Sequence, residues 1–126
     1  MKPITKLPDL ELDVMQAVWM CEEPILRKDI ENALKLTHRV APTTVLTVLT
    51  RLRDKGFVSL EKIGNKLRIH VLISREAYQS EQGKYFLNRI CRGNIFALGN
   101  ALCDASLSKD ELQELAEFIQ KKSHDK

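Results

Sequence analysis

The sequence has no long run of apolar residues. In a chain of 126 residues, the longest uninterrupted apolar stretch is Ala17–Cys21, far short of the roughly 20 residues that a membrane-spanning helix needs. The beginning of the chain, MKPITKLPDLE, also lacks the apolar core of about 7–15 residues that a secretory signal requires. We therefore expect a cytoplasmic protein that does not insert into a membrane.

The sequence is also poor in groupings that bind metals or catalyse reactions. The three cysteines, Cys21, Cys91 and Cys103, form no CxxC or CxH pair, which indicates small apolar residues in a reducing compartment rather than a disulfide framework or a zinc site. The three histidines are widely separated, and no Ser/His/Asp arrangement, glycine-rich phosphate loop or HExxH motif is present. We expect neither an enzyme nor a bound cofactor or metal ion.

The charges are unevenly distributed, although the net charge is only +3. Residues 24–73 carry ten basic and four acidic side chains, whereas residues 1–23 have a net charge of −3 and residues 74–126 a net charge of zero. A basic segment between acidic and neutral neighbours suggests a local site for a polyanion such as nucleic acid. A solvated basic face is the alternative, and the charges alone do not choose between the two.

Apolar spacing in residues 1–73 predicts three helices followed by a β-hairpin. The helical period predicts helices over residues 10–20, 26–35 and 42–55, the last of them ended by Gly56. The period then changes to two over Phe57–Lys62 and Lys66–Leu72, which predicts a two-stranded antiparallel ribbon with a turn between the strands. This order of elements is typical of a winged helix-turn-helix DNA-binding domain.

Residues 74–126 are predicted to form a helical dimerisation region, so that the whole fold is mainly α with a small β-hairpin. Ser74 precedes a long helix over residues 75–91, a short helix contains Ile95 and Leu102, and Ser108–Glu111 is a capping box before the last helix. So short a segment can bury little apolar surface alone, and we expect a homodimer. The alternative is packing on the winged helix of the same chain. The candidate interface residues are Phe86, Leu87, Ile90, Ile95, Phe96, Leu98, Leu102, Leu112, Leu115, Phe118 and Ile119.

The outer face of the third helix is the best candidate for base contacts. At 100° per residue, Thr44, Thr47 and Arg51 point in similar directions, away from the apolar face, and Thr43 and Thr50 flank them. Threonine offers a hydroxyl to base or phosphate oxygens and a methyl group to thymine, while arginine offers a fork that fits guanine. Threonine is a poor helix former, so four threonines argue weakly against a face that is merely solvated.

The turn of the hairpin carries a second group of candidate residues. Lys62, Asn65, Lys66 and Arg68 lie at or beside the predicted turn. A basic wing tip suits contacts with phosphates or with the minor groove. Ordinary turn chemistry, with lysines that blunt a sheet edge, is the alternative.

Three stretches of the chain resemble the penicillinase-repressor (BlaI/MecI/CopY) family of bacterial regulators. They are LELDVMQAVW at 10–19, APTTVLTVLTRLRDKGFV at 41–58 and FLNRICRGN at 86–94. The resemblance implies a homodimeric repressor that binds a palindromic DNA operator, often with TACA/TGTA-like half-sites. It also implies that Thr43, Thr44, Thr47 and Arg51 meet bases and phosphates.

The sequence departs from the family pattern at several positions. Position 43, often a lysine in the family, is Thr43, and position 46, often an arginine that contacts phosphate, is Leu46. In β-lactam-responsive members a membrane sensor protease triggers cleavage at an Asn–Phe bond in the fifth helix. The resemblance places that bond at Asn100–Ala101, where the phenylalanine is missing. The cysteine-rich metal motif of copper-responsive members is absent too.

Two other functions remain open from the residues. A winged helix can serve as a protein-interaction module that never touches DNA, and the interaction of such a module with duplex would be weak or insensitive to salt. The other alternative is a winged-helix sensor whose C-terminal part binds a small ligand, with Cys91 or Cys103 as a redox or metal group.

Overall fold

A computed structural model of the chain describes residues 4–36 and 40–124. Its elements are α1 (Asp9–Met20), β1 (Ile25–Leu26), α2 (Arg27–Leu34), α3 (Pro42–Asp54), β2 (Val58–Ile63), β3 (Lys66–Val71), α4 (Arg75–Tyr85), α5 (Ile95–Asp104) and α6 (Lys109–His124). Backbone contacts divide the chain into two compact units, an N-terminal unit that ends at Gln82 and a C-terminal unit that begins at Gly83. Among the described helices, none is both long and apolar enough to cross a bilayer.

The N-terminal unit is a winged helix, in which three helices are followed by a β-hairpin as the sequence pattern predicts. The hairpin register pairs Val58 with Val71 and Ile63 with Lys66. The predicted antiparallel ribbon is confirmed as β2 and β3, and β1, which the sequence pattern did not predict, adds a third antiparallel strand in the order β1-β3-β2. Ile25 of β1 pairs with Ile69 of β3. A strand of two residues has no periodicity of its own, so only its partner strand defines it.

The core of this unit comes from the apolar faces of all three helices and from the sheet. Val14, Met15 and Val18 of α1 are fully buried, as are Ile30 of α2 and Ile69 of β3. Because helix spacing places such side chains on one face, the elements must pack together to remove that face from water. This packing fixes where α3 and the hairpin lie relative to each other.

The first turns of α4 also belong to the N-terminal unit. Tyr78 is only 5% exposed, its ring lies 5.7 Å from the rings of Trp19 and of Phe57, and its hydroxyl accepts a hydrogen bond from the Leu7 amide at 2.9 Å. The boundary between compact units therefore falls inside α4, later than the division after residue 73 that the sequence pattern suggests. The reason is that Tyr78 completes the core of the winged helix.

The C-terminal unit consists of the end of α4, α5 and α6. The predicted helix over 75–91 is an α-helix to Tyr85 and then one π-helical turn, Phe86–Ile90. Asn94 caps α5 by accepting from the Phe96 amide at 3.0 Å. The predicted capping box before α6 is confirmed, since Ser108 and Glu111 exchange hydrogen bonds of 3.0 and 3.1 Å. These local signals lie within a few residues of one another, which is why the sequence reveals them.

Candidate nucleic-acid interface

One face of helix α3 is buried in the core, and the opposite, polar face points outward. Pro42 is its first residue, where a missing amide hydrogen costs nothing. Val45, Val48, Leu49 and Leu52 are all buried, so the opposite face must point outward. The helix ends at Asp54, and Gly56 two residues later has a φ of 84°, a left-handed conformation that favours glycine.

The structure brings the predicted base-contacting residues together on this outward face. Thr43, Thr47 and Arg51 are exposed, whereas Thr44 and Thr50 are half-buried at its edges. No acidic residue occurs between Val40 and Arg53 in the sequence. Because acidic side chains would repel phosphate, this face suits a polyanion better than an ordinary solvated face does.

The threonine hydroxyls make hydrogen bonds that the sequence does not reveal. The Thr47 hydroxyl donates to the carbonyl oxygen of Thr43 at 3.0 Å, and the Thr50 hydroxyl donates to that of Leu46 at 3.0 Å. A hydroxyl has one hydrogen to donate. In this arrangement both threonines therefore offer a methyl group and oxygen lone pairs to a ligand, rather than a hydrogen-bond donor.

A partly buried ion pair links the end of α3 to α1. The Lys55 ammonium group, just after the helix, donates to the Glu11 carboxylate of α1. Glu11 is only 6% exposed, whereas Lys55 is half-buried. Lys55 is one of the ten basic residues of segment 24–73. Because its ammonium group pairs with Glu11, it holds the end of α3 against α1. Arg53 is likewise bound to the Asp54 carboxylate at 3.2 Å, on the exposed surface.

The hairpin presents the predicted wing residues at its turn. Gly64 has a φ of 60° and stands first of the two turn residues, the arrangement of a type II′ turn. Lys62, Asn65 and Lys66 are exposed, whereas Arg68 is half-buried. Arg68 lies further along β3, where it pairs with Leu26 on one side and Glu61 on the other. The structure therefore places three of the four predicted wing residues at the tip.

A basic groove between α2 and the wing was not foreseen from the sequence. Arg27 and Lys28 at the start of α2 line a groove of about 500 Å³ together with Asn65 and Lys66. Arg27 is partly engaged, since its Nε lies 3.5 Å from the Glu31 carboxylate in the next turn. The pairing of Leu26 with Arg68 brings the start of α2 beside the hairpin. The sequence pattern did not predict this groove because it did not predict β1. The pairing of β1 with β3 is what places the start of α2 next to the wing.

The remaining site candidates lie in the C-terminal unit. Ile90, Ile95, Phe96, Phe118 and Ile119 are exposed, and the other six candidate interface residues are half-buried. They are Phe86, Leu87, Leu98, Leu102, Leu112 and Leu115. Asn100 and Ala101, the candidate cleavage site, are both exposed and lie within α5.

The cysteines differ in their surroundings. Burial, and secondarily the negative charge of Asp29, raise the pKa of the Cys21 thiol. Its sulfur donates to the Ala17 carbonyl oxygen at 3.3 Å, which fits a packing residue. Cys91 is half-buried and Cys103 is exposed, so Cys103 does not pack as expected. Across residues 4–36 and 40–124, no three His, Cys, Asp or Glu side chains are grouped so that they could hold a metal ion.

Comparisons of the sequence with known proteins all point to the same family. The sequence profile described as Penicillinase repressor matches residues 7–121. The penicillinase repressor of Bacillus licheniformis is 30% identical over 121 residues, which cover 95% of this chain and 94% of the relative. The methicillin resistance regulatory protein MecI of Staphylococcus aureus is 27% identical over 118 residues, covering 93% and 95% of the two chains.

A solved structure is similar to the N-terminal part of the chain. The DNA-binding domain of the repressor BlaI superposes with a TM-score of 0.52 at 31% identity, and the match covers 62% of this chain and 94% of that one. The relatives are repressors and regulators rather than enzymes. Both the profile match over most of the chain and the winged-helix fold lead to one conclusion: this chain belongs to the penicillinase repressor family.

Proposed function

We propose that the protein is a sequence-specific DNA-binding transcriptional repressor that acts as a homodimer on a palindromic operator. In this proposal α3 enters the major groove and the β2–β3 hairpin contacts the backbone or the minor groove as the wing. The observation that carries the proposal is the outward face of α3, which combines Thr43, Thr47 and Arg51 without an acidic side chain in its first three turns. The names of the relatives, which are repressors, support it.

The exposed apolar residues of the C-terminal unit support the homodimer. Of the residues described from Gly83 onward, none is buried, although large apolar side chains recur along all three helices. Phe96 is 75% exposed and Ile95 is 63% exposed. Exposed apolar patches of this kind mark association surfaces, because water leaves their side chains on contact. A second copy of the chain would supply the missing core.

A two-fold axis through these helices would present two copies of α3 to DNA. Dimers of this kind bind half-sites about 34–36 Å apart, which is one turn of the double helix. The operator would then share the two-fold symmetry of the protein. A membrane sensor protease as the inducing partner rests on the resemblance alone, and cleavage between Asn100 and Ala101 would have to open α5.

A selection of duplex DNA from a random pool by the purified protein tests the proposed function. We expect enrichment of one palindromic sequence at moderate salt, and a mass of two chains per bound duplex by light scattering. Enrichment of a single, non-repeated half-site would contradict the dimeric operator. Recovery of no enriched sequence would contradict DNA recognition altogether and favour a winged helix that binds protein partners.

A further inference from the structure

We propose that the cleft between α1 and the start of α4 is a binding site for a small organic molecule that carries one carboxylate on a flat apolar body. This inference goes beyond the proposed function, because no residue of α3 or of the hairpin lines the cleft. The site therefore lies outside the surface assigned to DNA, and its occupancy can be tested without an operator. All of its residues belong to the N-terminal unit.

The cleft has the size of a small-molecule site and is lined by one face of each helix. Its volume is about 590 Å³, within the range of about 300–1,000 Å³ that is usual for such sites. Residues three and four positions apart share a face of a helix, and the lining follows that spacing on both helices. It includes Leu12, Gln16 and Trp19 of α1 and Arg75, Tyr78 and Gln79 of α4. Each helix thus contributes one wall of the cleft.

The two aromatic side chains of the cleft are held in place by hydrogen bonds. The indole N–H of Trp19 donates to the Ile73 carbonyl oxygen at 2.9 Å, and the Tyr78 hydroxyl accepts from the Leu7 amide at 2.9 Å. The centroids of the two rings lie 5.7 Å apart. Because Trp19 is only half-buried, part of its ring remains open to a ligand. A flat apolar molecule can therefore stack there without first ordering the side chains that receive it.

Arg75 gives the cleft its charge. Among the described residues that line the cleft, it alone is charged. It is exposed, and within residues 4–36 and 40–124 it forms no ion pair with a carboxylate. Its guanidinium group is a planar fork of donors that fits a carboxylate. A monocarboxylate suits one cation better than a dianionic phosphate does, because the second charge of the phosphate would lie unpaired beside apolar side chains.

The glutamines of the cleft complete the chemistry of the site without adding charge. Gln16 and Gln79 are exposed, and each amide offers both donors and an acceptor. They can therefore bind a polar substituent of the ligand, and they do not repel its carboxylate as an acidic residue would. An apolar wall, one cation and neutral amides together favour the class of aromatic monocarboxylic acids.

Titration of the full-length protein with naphthalene-2-acetate, which has a flat two-ring body and one carboxylate, tests the proposal. Trp19 is the single tryptophan of the chain, so its indole N–H gives one signal in a proton–nitrogen NMR spectrum and reports from the cleft itself. We expect a saturable shift of that signal with a Kd of about 1 mM or tighter, which is usual for a ligand of this size. The uncharged analogue naphthalene-2-acetamide should bind about tenfold more weakly, because it lacks the charge that pairs with Arg75.

One variant and a matched control identify the role of Arg75. Arg75→Gln should weaken binding of naphthalene-2-acetate about tenfold and leave binding of the amide unchanged, so that the preference for the carboxylate disappears. Arg89→Gln removes the same charge from an exposed position of the C-terminal unit and should keep the preference. The quantity compared is the ratio of the two Kd values within each variant, since a variant that folds less well loses affinity for both molecules equally.

Several results would overturn this inference and leave the proposed function intact. One is a Trp19 signal that does not shift at about ten times the expected Kd, because the cleft would then bind no such molecule. Equal affinity for the carboxylate and the amide would overturn recognition of the charge, and so would an Arg75→Gln variant that keeps the preference. The same holds if Arg89→Gln loses the preference as fully as Arg75→Gln does, because the effect would then come from the net charge of the protein. The selection of duplex DNA tests the repressor proposal separately.

Discussion

The hydrogen bond between Tyr78 and Leu7 should make a measurable contribution to the stability of the winged helix. Replacing Tyr78 by phenylalanine removes the hydroxyl that accepts from the Leu7 amide and changes little else. Leu7 is only 2% exposed, so its amide would be left without a partner and away from water. A buried donor left unpaired costs about 1–3 kcal/mol of unfolding free energy, and we expect Tyr78→Phe to destabilise the unit by that amount.

The side chain as a whole should matter more than its hydroxyl. Tyr78→Ala also removes the ring that lies 5.7 Å from both Trp19 and Phe57. Deleting a large buried aromatic side chain costs roughly 3–5 kcal/mol, a large part of the about 5–15 kcal/mol by which domains are stable. A protein ending at residue 73 would lose the same contacts, so we expect it to fold less stably than one ending at residue 82.

Urea denaturation followed by tryptophan fluorescence measures the unfolding free energy of the N-terminal unit, because the single tryptophan of the chain, Trp19, lies in that unit. Tyr85 provides the matched control, since it is 51% exposed in the C-terminal unit. Tyr85→Phe should change the unfolding free energy by less than about 0.5 kcal/mol. In thermal unfolding, each kcal/mol should lower Tm by about 4–8 °C for a unit of this size. A Tyr78→Phe variant as stable as the natural chain would refute the reasoning.

Three further predictions concern DNA. Arg51→Ala should cost about 1–3 kcal/mol in binding of the enriched sequence and relax the base preference at one position; a uniform loss over all sequences, in a competition assay, would assign Arg51 to phosphate instead. Lys66→Ala and Lys28→Ala should each weaken all duplexes alike and reduce the slope of log affinity against log salt by about 1, whereas a sequence-selective loss would mean that the groove reads bases. A chain truncated after Gln82 should be monomeric by light scattering and should bind the operator far more weakly, because the half-sites are no longer linked; a dimer that persists would place the interface in the N-terminal unit.

Most helices and the hairpin could be predicted from the sequence, because their signals are local. The apolar period of Val45, Val48, Leu49 and Leu52 already defines the buried side of α3 and hence its outward face. The hairpin follows from alternation around Gly64. The capping boundaries of α5 and α6 depend on residues no more than three positions apart. The candidate site residues of α3 and the wing tip could be named for the same reason.

Features that join distant parts of the chain were decided by the tertiary structure. The hydrogen bond from Leu7 to Tyr78 joins residues 71 positions apart, and the ion pair between Glu11 and Lys55 joins residues 44 positions apart. The apolar periodicity of neither segment predicts such a contact. The contact stabilises the protein only after packing of the core has brought the two segments together. The hydrogen bond of the Thr47 hydroxyl joins residues only four positions apart, yet the sequence does not reveal it either. It depends on which χ1 rotamer the threonine adopts, and the sequence does not determine that rotamer.

The basic groove shows this division most clearly. Arg27, Lys28 and Lys66 are visible in the sequence as charges, and their number already favours a polyanion partner. That they line one groove depends on β1, whose two residues Ile25 and Leu26 are a strand because they pair with β3. The sequence by itself therefore determined which basic side chains are present. Packing of the sheet against α2 decided which of them line one groove, because exposed charges are largely screened from a shared ligand beyond a Debye length of about 8–10 Å.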